Sequence, residues 1–255
     1  MLMENELVLE TRELRKAFGE QKVLDGIDLE LRKGETLTIL GRSGSGKSVL
    51  LKLIIGLQKA DSGSIRIGDA EVTCVAGDQL DEIRKKIGFL FQYSALYDSL
   101  TVEENVAFPL RRHTRMPDHE RRDRVRELLA RVGMDEASSK MPADISGGMK
   151  KRVGLARALA MEPELMLMDE PTAGLDPVTA AEIIDLILEL QRARKMSSVV
   201  VTHEMQTVRA VSDRIAMLHE GAIRLEGTFE DLRRSHDSLV AAFMKQGVEE
   251  EPCHA

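Results

Sequence analysis

The sequence predicts an α/β protein built on a parallel sheet, and three observations support this prediction. Residues 165–168 and 198–201 are short apolar runs, typical of strands that are buried on both faces. The segment between them, at about residues 178–194, is predicted to be helical, which gives a strand–helix–strand unit. A further apolar run, residues 35–40, leads through a glycine-rich loop into an apolar helix predicted from about residue 47 to residue 57.

The N-terminal part and the middle of the chain follow different patterns. Residues 7–9 form a short apolar run, residues 23–31 alternate apolar and polar side chains, and residues 64–68 follow a glycine turn, so all three are predicted strands. Residues 94–159 are mostly helical in pattern and heavily charged, and residues 121–132 place apolar side chains on one helical face. The chain therefore has a strand-rich start, a helical middle and an α/β final third.

The composition excludes several functional classes. Acidic residues outnumber basic ones by 43 to 36, and the resulting net charge of −7 argues against a general nucleic-acid binder. Aromatic residues make up 3% of the chain and Trp is absent, which disfavours a stacking platform for single strands. No apolar run reaches the ~18 residues that a membrane span requires. A membrane function would therefore depend on a partner, and the two distant cysteines fit a reducing compartment.

The glycine-rich loop has the chemistry of a phosphate-binding site. It reads GRSGSGKS from Gly41 onward, between a predicted strand and a predicted helix. Gly41, Gly44 and Gly46 allow a tight turn and a close approach of the backbone to an anion. The N–H groups of the loop and the following helix N-terminus would face the phosphates. Lys47 would reach the outer phosphates, and the Ser48 hydroxyl could bind Mg²⁺.

Two carboxylates and a histidine follow buried strands in the last third. Asp169 and Glu170 come directly after residues 165–168; we expect Asp169 to belong to a metal shell and Glu170 to orient an attacking water. A solvated acidic strand end is the alternative. His203 follows residues 198–201 at the sheet edge where ligands of open α/β sheets bind, so it could contact the terminal phosphate; a structural histidine is the alternative.

One further segment leads to a family. The run ISGGMKKR begins at Ile145; together with the phosphate loop, Gln92 and the run DEPTAGLD from Asp169, it resembles the ABC ATPases over about residues 5–228. The resemblance implies a P-loop NTPase (RecA-like) core with an N-terminal antiparallel β-subdomain and an inserted α-helical signature subdomain. The implied domains are the core at residues 5–93 and 158–228, the signature subdomain at 94–157 and a C-terminal helical tail at 229–255.

The resemblance also implies a role for each matching residue. Phe18 corresponds to an aromatic that stacks on adenine, Gln92 to a glutamine that joins the Mg²⁺ shell and faces the membrane partner, and His203 to a switch histidine. The signature residues Ser146, Gly147 and Gly148 and the loop residue Asp176 correspond to groups that act on ATP held by the opposite subunit. The expected catalytic residues are Glu170, His203 and Lys47, and the expected Mg²⁺ ligands are Ser48, Gln92 and Asp169. The expected ATP-binding residues within one chain are Phe18, Gly41, Arg42, Ser43, Gly44, Ser45, Gly46, Lys47, Ser48, Val49, Gln92 and Asp169.

The expected cofactors and partners follow from the same resemblance. ATP and Mg²⁺ are the expected cofactors, and a second copy of the chain completes an ATP-sandwich dimer. Multispan permease subunits are the expected membrane partner, which would place the chain peripherally on the cytoplasmic face of the inner membrane. Residues 93–99 are expected to transmit movement to a permease helix. No nucleic-acid partner is expected.

Two segments indicate a subfamily. Ile145 and Met149 in the signature, and the run YDSLT that begins at Tyr97, resemble ATPases paired with MCE-domain lipid-binding proteins, of the Mla, Mkl and Ttg2A types. This resemblance implies phospholipid trafficking between the inner and outer membranes. Two alternatives stay open: the ATPase of another importer, of the osmoprotectant type, which also carries Met in the signature, and a soluble ATPase of iron–sulfur cluster assembly.

The C-terminal segment, residues 228–246, reads as one or two short helices that carry Leu232, Leu239, Val240 and Phe243. Relatives of the Mla type can extend this segment across to the other ATPase subunit. Packing of the helices on their own domain is the equally weighted alternative.

Overall fold

The structure, a computed structural model, describes residues 6–194 and 196–249. Its elements in chain order are β1 (Leu7–Phe18), β2 (Gln21–Arg32), β3 (Thr36–Leu40), α1 (Lys47–Ile54), β4 (Ser62–Ile67), β5 (Ala70–Glu71), α2 (Asp78–Lys85), β6 (Ile87–Leu90), α3 (Val102–His113), α4 (Asp118–Arg131), α5 (Gly147–Leu159), β7 (Leu165–Asp169), α6 (Pro177–Arg194), β8 (Ser197–Thr202), α7 (Met205–Val211), β9 (Arg214–His219), β10 (Ala222–Gly227), α8 (Phe229–Arg233) and α9 (Ser238–Glu249). Single 3₁₀ turns occur at Val72–Cys74, Asp135–Ala137 and Pro142–Asp144.

The chain forms two compact units. Unit 1 contains the chain up to Val75 and from Ser197 onward, and unit 2 is the continuous stretch from Ala76 to Met196. These limits differ from the predicted functional domains, which remain a prediction. The predicted domain ends at residue 5 and residue 255 lie outside the described residues.

One sheet of unit 1 is antiparallel. Its strand order is β2–β1–β4–β5, and the long β1 and β2 pair along most of their length. The register of this pair shifts between Thr11 and Leu14. The buried Thr11 hydroxyl satisfies two backbone groups of β2 next to the shift, because it donates to the Ile27 carbonyl at 3.0 Å and accepts from the Leu29 N–H at 3.0 Å. Buried polar groups of this kind must be satisfied within the protein. The N-terminal sheet expected from the family resemblance is thus present.

The other strands of unit 1 run in the order β10–β9–β3–β8. β3 is parallel to both β8 and β9, with Leu40 aligned to Thr202 and to Met217. Every residue of β3 and β8 is buried, and for β8 the apolar run at residues 198–201 predicted this. β9 and β10 form an antiparallel hairpin that the sequence analysis did not predict.

The helix after the glycine-rich loop is shorter than predicted. α1 ends at Ile54 because Gly56 adopts a φ of 68° and the Leu57 N–H turns back to the Lys52 carbonyl at 2.8 Å. This left-handed glycine ending is a common way to close a helix.

The C-terminal helices pack on their own unit. Leu232 of α8 and Val240 and Phe243 of α9 belong to a buried cluster with Leu40 of β3 and Ile215 of β9. Of the two alternatives for this segment, the described side chains up to Phe243 therefore follow the second one, packing on the same chain.

Unit 2 combines two strands with a group of helices. β6 and β7 are parallel, with Leu90 aligned to Met168. α3, α4 and α5 pack against one another, and α3 starts with a reciprocal capping box between Thr101 and Glu104. The helical middle that the sequence predicts is therefore present, and β6 and α2 are additional to it. No helix within residues 6–194 and 196–249 is long and apolar enough to cross a membrane.

Candidate functional site

The glycine-rich loop connects the buried end of β3 to the start of α1. Gly44 and Gly46 have φ values of 80° and 103°, which side chains other than glycine rarely adopt. A Cβ at Gly41 would lie 2.6 Å from the Leu218 carbonyl oxygen, so glycine is also required there by close packing. Arg42 and Ser43 are exposed at the bend, and Val49 lies in the first turn of α1.

Lys47 is the first residue of α1 and turns back over the loop. Its side chain is buried, and its Nζ donates to the carbonyls of Gly41 at 2.8 Å and Arg42 at 3.1 Å. Within the described residues, the Ser45 hydroxyl is buried without a hydrogen-bond partner. An anion held by the loop would supply an acceptor for this hydroxyl, so the loop fits the phosphates of a nucleotide. Ser48 follows Lys47 in the first helical turn.

Phe18 lies at the tip of the β1–β2 hairpin. Its side chain is 47% exposed, so Phe18 is not a core residue. The Lys16 ammonium lies 5.4 Å from the centre of its ring. The same hairpin reaches the loop, because a Cβ at Gly46 would lie 3.0 Å from Val23 Cγ1. An exposed aromatic therefore stands on a hairpin that packs against the phosphate loop, which suits stacking on a base.

His203 lies beside the start of the loop within unit 1. It follows Thr202, the last residue of β8, and Thr202 is aligned with Leu40, the residue before Gly41. His203 is exposed at this edge. The structure thus brings the histidine and the loop to the carboxyl ends of two neighbouring parallel strands, as the sequence predicts.

Unit 2 also carries candidate residues at the carboxyl ends of its two parallel strands: Gln92 after β6, and Asp169 and Glu170 at the end of β7. Asp169 ends β7, and Gln92 follows the end of the adjacent strand β6 by two residues. Asp169 and Glu170 are each 6% exposed, so the alternative of a solvated acidic strand end is excluded. Glu170 has a φ of 46°, a conformation that costs a non-glycine residue about 1–2 kcal/mol. Strain of this kind is concentrated at functional sites.

The signature residues open α5. Ser146 is the N-cap of this helix, and its hydroxyl accepts from the Met149 N–H at 3.3 Å. A Cβ at Gly148 would lie 2.4 Å from Thr179 Cγ2, and a Cβ at Gly147 would lie 3.6 Å from Leu175 Cδ2. The start of α5 therefore packs closely against the start of α6. Ser146 and Gly147 remain exposed, so the N-terminus of α5 is able to face an anion.

Asp176 has a structural role that the sequence analysis missed. Its carboxylate accepts from the N–H groups of Val178 and Thr179, each at 3.1 Å, and from the Thr179 hydroxyl at 2.6 Å, so it caps α6. These hydrogen bonds, led by the one from the Thr179 hydroxyl, hold the pKa of Asp176 below its ordinary value. The carboxylate therefore stays charged at neutral pH.

A surface groove of unit 2 lies next to the Gln92 segment. It has a volume of about 510 Å³ and is lined in part by Phe89, Phe91, Tyr97 and Phe108. The rings of Tyr97 and Phe108 are 4.6 Å apart, and both side chains are more than one third exposed. Exposed aromatic clusters of this kind are typical of protein-binding surfaces.

Asn105 fixes the loop that carries Tyr97. The sequence analysis did not predict this role either. This fully buried side chain of α3 accepts from the Tyr97 N–H at 2.8 Å and donates to the carbonyls of Tyr97, Leu100 and Thr101 at 3.0–3.1 Å. A single amide thus holds the turn over residues 97–101. The sequence signal for this role was weak: Asn105 is a polar residue on the face of α3 that otherwise carries Val102, Val106 and Leu110.

Comparison with known proteins identifies the family. The model of the family described as ABC transporter matches residues 24–173. The chain belongs to the ABC transporter family. It is 40% identical over 239 residues to the methionine import ATP-binding protein MetN of Brucella abortus, covering 94% of this chain and 64% of that protein. It is 40% identical over 238 residues to a probable ribonucleotide transport ATP-binding protein, mkl, of Mycobacterium leprae, covering 93% and 69%.

A solved structure gives the same assignment. The ABC cassette MJ0796, dimeric in a post-hydrolysis state with ADP and Pi bound, superimposes with a TM-score of 0.80 at 35% identity, covering 86% of this chain and 98% of that one. The predicted fold class and the predicted enzyme class, an ABC-type ATPase that binds ATP, are confirmed by these matches. The chain spans 64% of the length of the methionine-import relatives.

Proposed function

We propose that this chain is the ATP-hydrolysing subunit of an ABC transport complex and acts as a pair of copies. The observation that carries the proposal is the phosphate loop, with its glycines at positive φ, its buried Lys47 and its unsatisfied Ser45 hydroxyl. Family membership and the likeness to a cassette with ADP and Pi bound support the same conclusion.

Magnesium is the proposed metal partner of ATP. We assign the Ser48 hydroxyl, the Gln92 amide oxygen and the Asp169 carboxylate as its protein ligands, since Mg²⁺ prefers oxygen donors and uses few carboxylates when phosphates complete its shell. No cluster of three His, Cys, Asp or Glu residues suited to a metal occurs in the part of the chain that the structure describes, which agrees with a site completed by the nucleotide. The bound metal would neutralise charge that develops on the transferred phosphate.

The hydrolytic step is assigned to Glu170, Lys47 and His203. Glu170 accepts a proton from the attacking water, Lys47 stabilises charge on the outer phosphates, and His203 contacts the terminal phosphate. Changing Glu170 to Gln removes the base with little change in shape. Since a general base contributes about 10²–10⁴-fold, steady-state hydrolysis should fall by that factor while ATP affinity is kept. Glu164→Gln, at the opposite end of β7, is the matched control and should retain full activity.

The paired arrangement is assigned to the signature. Ser146, Gly147 and Gly148 would bind the terminal phosphate of ATP held by the other copy, and Asp176 would face the same interface. Glu170→Gln should hydrolyse ATP slowly and keep it bound, so this variant should become dimeric on addition of MgATP in light-scattering measurements. A protein that stays monomeric with ATP bound would argue against the paired arrangement.

The aromatic groove of unit 2 is the proposed docking surface for permease subunits. Phe108 is 37% exposed and forms part of the groove, so Phe108→Ala should weaken recovery of the permease with the chain while leaving ATP binding intact. Leu57→Ala, at an exposed apolar residue of unit 1, is the matched control. The assembled complex would place the chain on the cytoplasmic face of the inner membrane.

For the transported molecule, similarity to the curated relatives favours an importer of a small solute. The similarity to methionine import proteins supports uptake of a small solute. This is the importer alternative that the sequence left open beside phospholipid trafficking. Phospholipid trafficking with an MCE-domain partner is the second candidate, favoured by the signature with Ile145 and Met149 and by the run from Tyr97.

Purification of the chain from detergent-solubilised native membranes, with mass spectrometry of proteins and lipids, separates the candidates. A permease with a solute-binding protein supports the importer. A permease with an MCE-domain protein and bound phospholipid replaces it with lipid trafficking. Recovery of soluble partners alone, as expected for a cluster-assembly ATPase, would refute the transport proposal.

A further inference from the structure

One face of α5 lies against the segment that follows β6. Lys151, Gly154 and Arg157 are spaced by three residues along the helix and therefore share this face. A Cβ at Gly154 would lie 2.9 Å from Leu90 Cδ1 and 3.3 Å from the Ser94 Cβ, so the helix backbone approaches the segment closely. The close approach brings the two flanking cations within reach of backbone carbonyls.

Lys151 joins two parts of the candidate site. Its side chain is only 3% exposed, and its Nζ donates to the Gln92 carbonyl at 2.5 Å and to the Glu170 carbonyl at 2.9 Å. A buried ammonium is costly unless its donors are satisfied, so these contacts fix the lysine and both carbonyls together. The ends of β6 and β7 are thereby tied through one side chain.

The tied segments are conformationally strained. Glu170, Ser94 and Ala95 have φ values of 46°, 60° and 46°, and none of them is glycine. Arg157 holds the second strained region, since its guanidinium donates to the Ser94 carbonyl at 2.6 Å and to the Ala95 carbonyl at 2.7 Å. Residues in such conformations persist only where their surroundings fix them. Both cations on this face of α5 therefore stabilise strained backbone next to proposed functional residues.

We propose that Lys151 is a positioning residue for ATP hydrolysis, which ties the backbone of Gln92 to that of Glu170 and holds the Glu170 carboxylate in place. The inference rests on the proposed catalytic role of Glu170. Lys151 acts through Glu170 and Gln92 and does not touch ATP. Because Ser146 caps the N-terminus of α5, a displacement of the signature helix would be passed to both carbonyls through the same ammonium.

The test compares Lys151→Met with Lys150→Met in the full-length chain. Lys151→Met keeps the length and apolar stem of the side chain but removes the donors, whereas Lys150→Met removes the neighbouring charge on the same helix. Misplacement of a catalytic group by about 1 Å costs roughly 100-fold in rate. The kcat of Lys151→Met should therefore fall about 10–100-fold, while its Kd for ATP stays within about threefold of wild type. Lys151→Arg, which restores a charged donor, should recover part of the loss.

Hydrogen exchange provides a readout that does not depend on activity. In Lys151→Met, amides within residues 91–96 and 170–173 should exchange faster, and in Lys150→Met neither segment should change. Equal exchange in the two variants, or a kcat of Lys151→Met equal to that of Lys150→Met, would overturn the inference. If Lys151→Met does not fold, Lys151→Gln takes its place in the same measurements, because it keeps a neutral donor and should show a smaller loss of kcat.

Glu170→Gln separates this inference from the function on which it rests. Full ATPase activity in Glu170→Gln would refute the catalytic assignment itself. Loss of activity in Glu170→Gln together with wild-type kinetics in Lys151→Met would refute only the role of Lys151. If both are as proposed, adding Lys151→Met to Glu170→Gln should lower the residual rate no further.

Discussion

Replacing Gly148 with alanine should destabilise the protein, whereas the same change at Gly147 should not. A Cβ at Gly148 would lie 2.4 Å from Thr179 Cγ2, while a Cβ at Gly147 meets Leu175 Cδ2 at an ordinary 3.6 Å. Thr179 cannot turn away freely, because its hydroxyl donates to Asp176 at 2.6 Å as part of the cap of α6.

The size of the effect follows from three contributions. Overpacking costs about 1–3 kcal/mol, and loss of the Thr179 contribution to the cap costs up to about 1 kcal/mol. The higher helix propensity of alanine offsets at most about 1 kcal/mol. The net loss for Gly148→Ala is therefore about 1–3 kcal/mol, or roughly 3–10 °C in Tm for a chain of this size. Gly147→Ala gains only the higher helix propensity of alanine, so its free energy of unfolding should be unchanged or slightly higher than that of the wild type.

Thermal unfolding of the nucleotide-free protein, followed by circular dichroism, measures both variants. The decisive measurement is a second change at the contact. Thr179→Ser removes Cγ2 but keeps the hydroxyl that reaches Asp176, so it should restore most of the Tm lost in Gly148→Ala. A double variant no more stable than Gly148→Ala, or equal Tm values for the two alanine variants, would refute this account of the contact.

Three further predictions concern ATP binding and stability. Lys47→Ala should weaken ATP binding at least tenfold in calorimetry, with Lys52→Ala on the same helix as the unaffected control. Phe18→Ala should raise the KM for ATP about 3–10-fold, the value of one aromatic stack, while Tm changes little because the side chain is half exposed. Burial alone would raise the pKa of Glu35, but hydrogen bonds from Arg214 and the Arg32 N–H hold this pKa below its ordinary value. Glu35→Gln should therefore cost about 1–2 kcal/mol at pH 7. In denaturant titrations this difference should shrink as the pH falls below the ordinary glutamate pKa of about 4.3, and it should vanish once the pH is below the lowered pKa of native Glu35. A difference that does not shrink over this range would contradict the assignment.

Local patterns in the sequence predicted much of the fold. The strands at residues 165–168 and 198–201 were readable because continuous apolar runs mark strands buried on both faces. β6 was missed for a physical reason. It has four residues, and one of them, Gly88, is a poor strand former that is needed because a Cβ there would lie 2.2 Å from Met166 Sδ. The requirement comes from a neighbouring strand and leaves no trace in the local pattern.

The same distinction applies to the candidate site. Residues that would touch ATP belong to runs such as GRSGSGKS, whose chemistry can be read from residue type and spacing. Lys151 and Asn105 could not be assigned in this way, since a lysine on a charged helix and an asparagine on an amphipathic one have many ordinary explanations. The partners of Lys151 are the backbone carbonyls of two distant segments, which only the folded chain brings together. The partners of Asn105 are the carbonyls of the turn just before its own helix, whose conformation the sequence pattern does not show.

The packing of the C-terminal helices has a consequence for the order of synthesis. Leu40, the residue before the phosphate loop, belongs to one buried cluster with Val240 and Phe243, which are synthesised about 200 residues later. Unit 2 is continuous in sequence and lies between the two parts of unit 1, so it can fold first during translation. The buried cluster next to the phosphate loop can therefore be completed only after residue 243 has been synthesised.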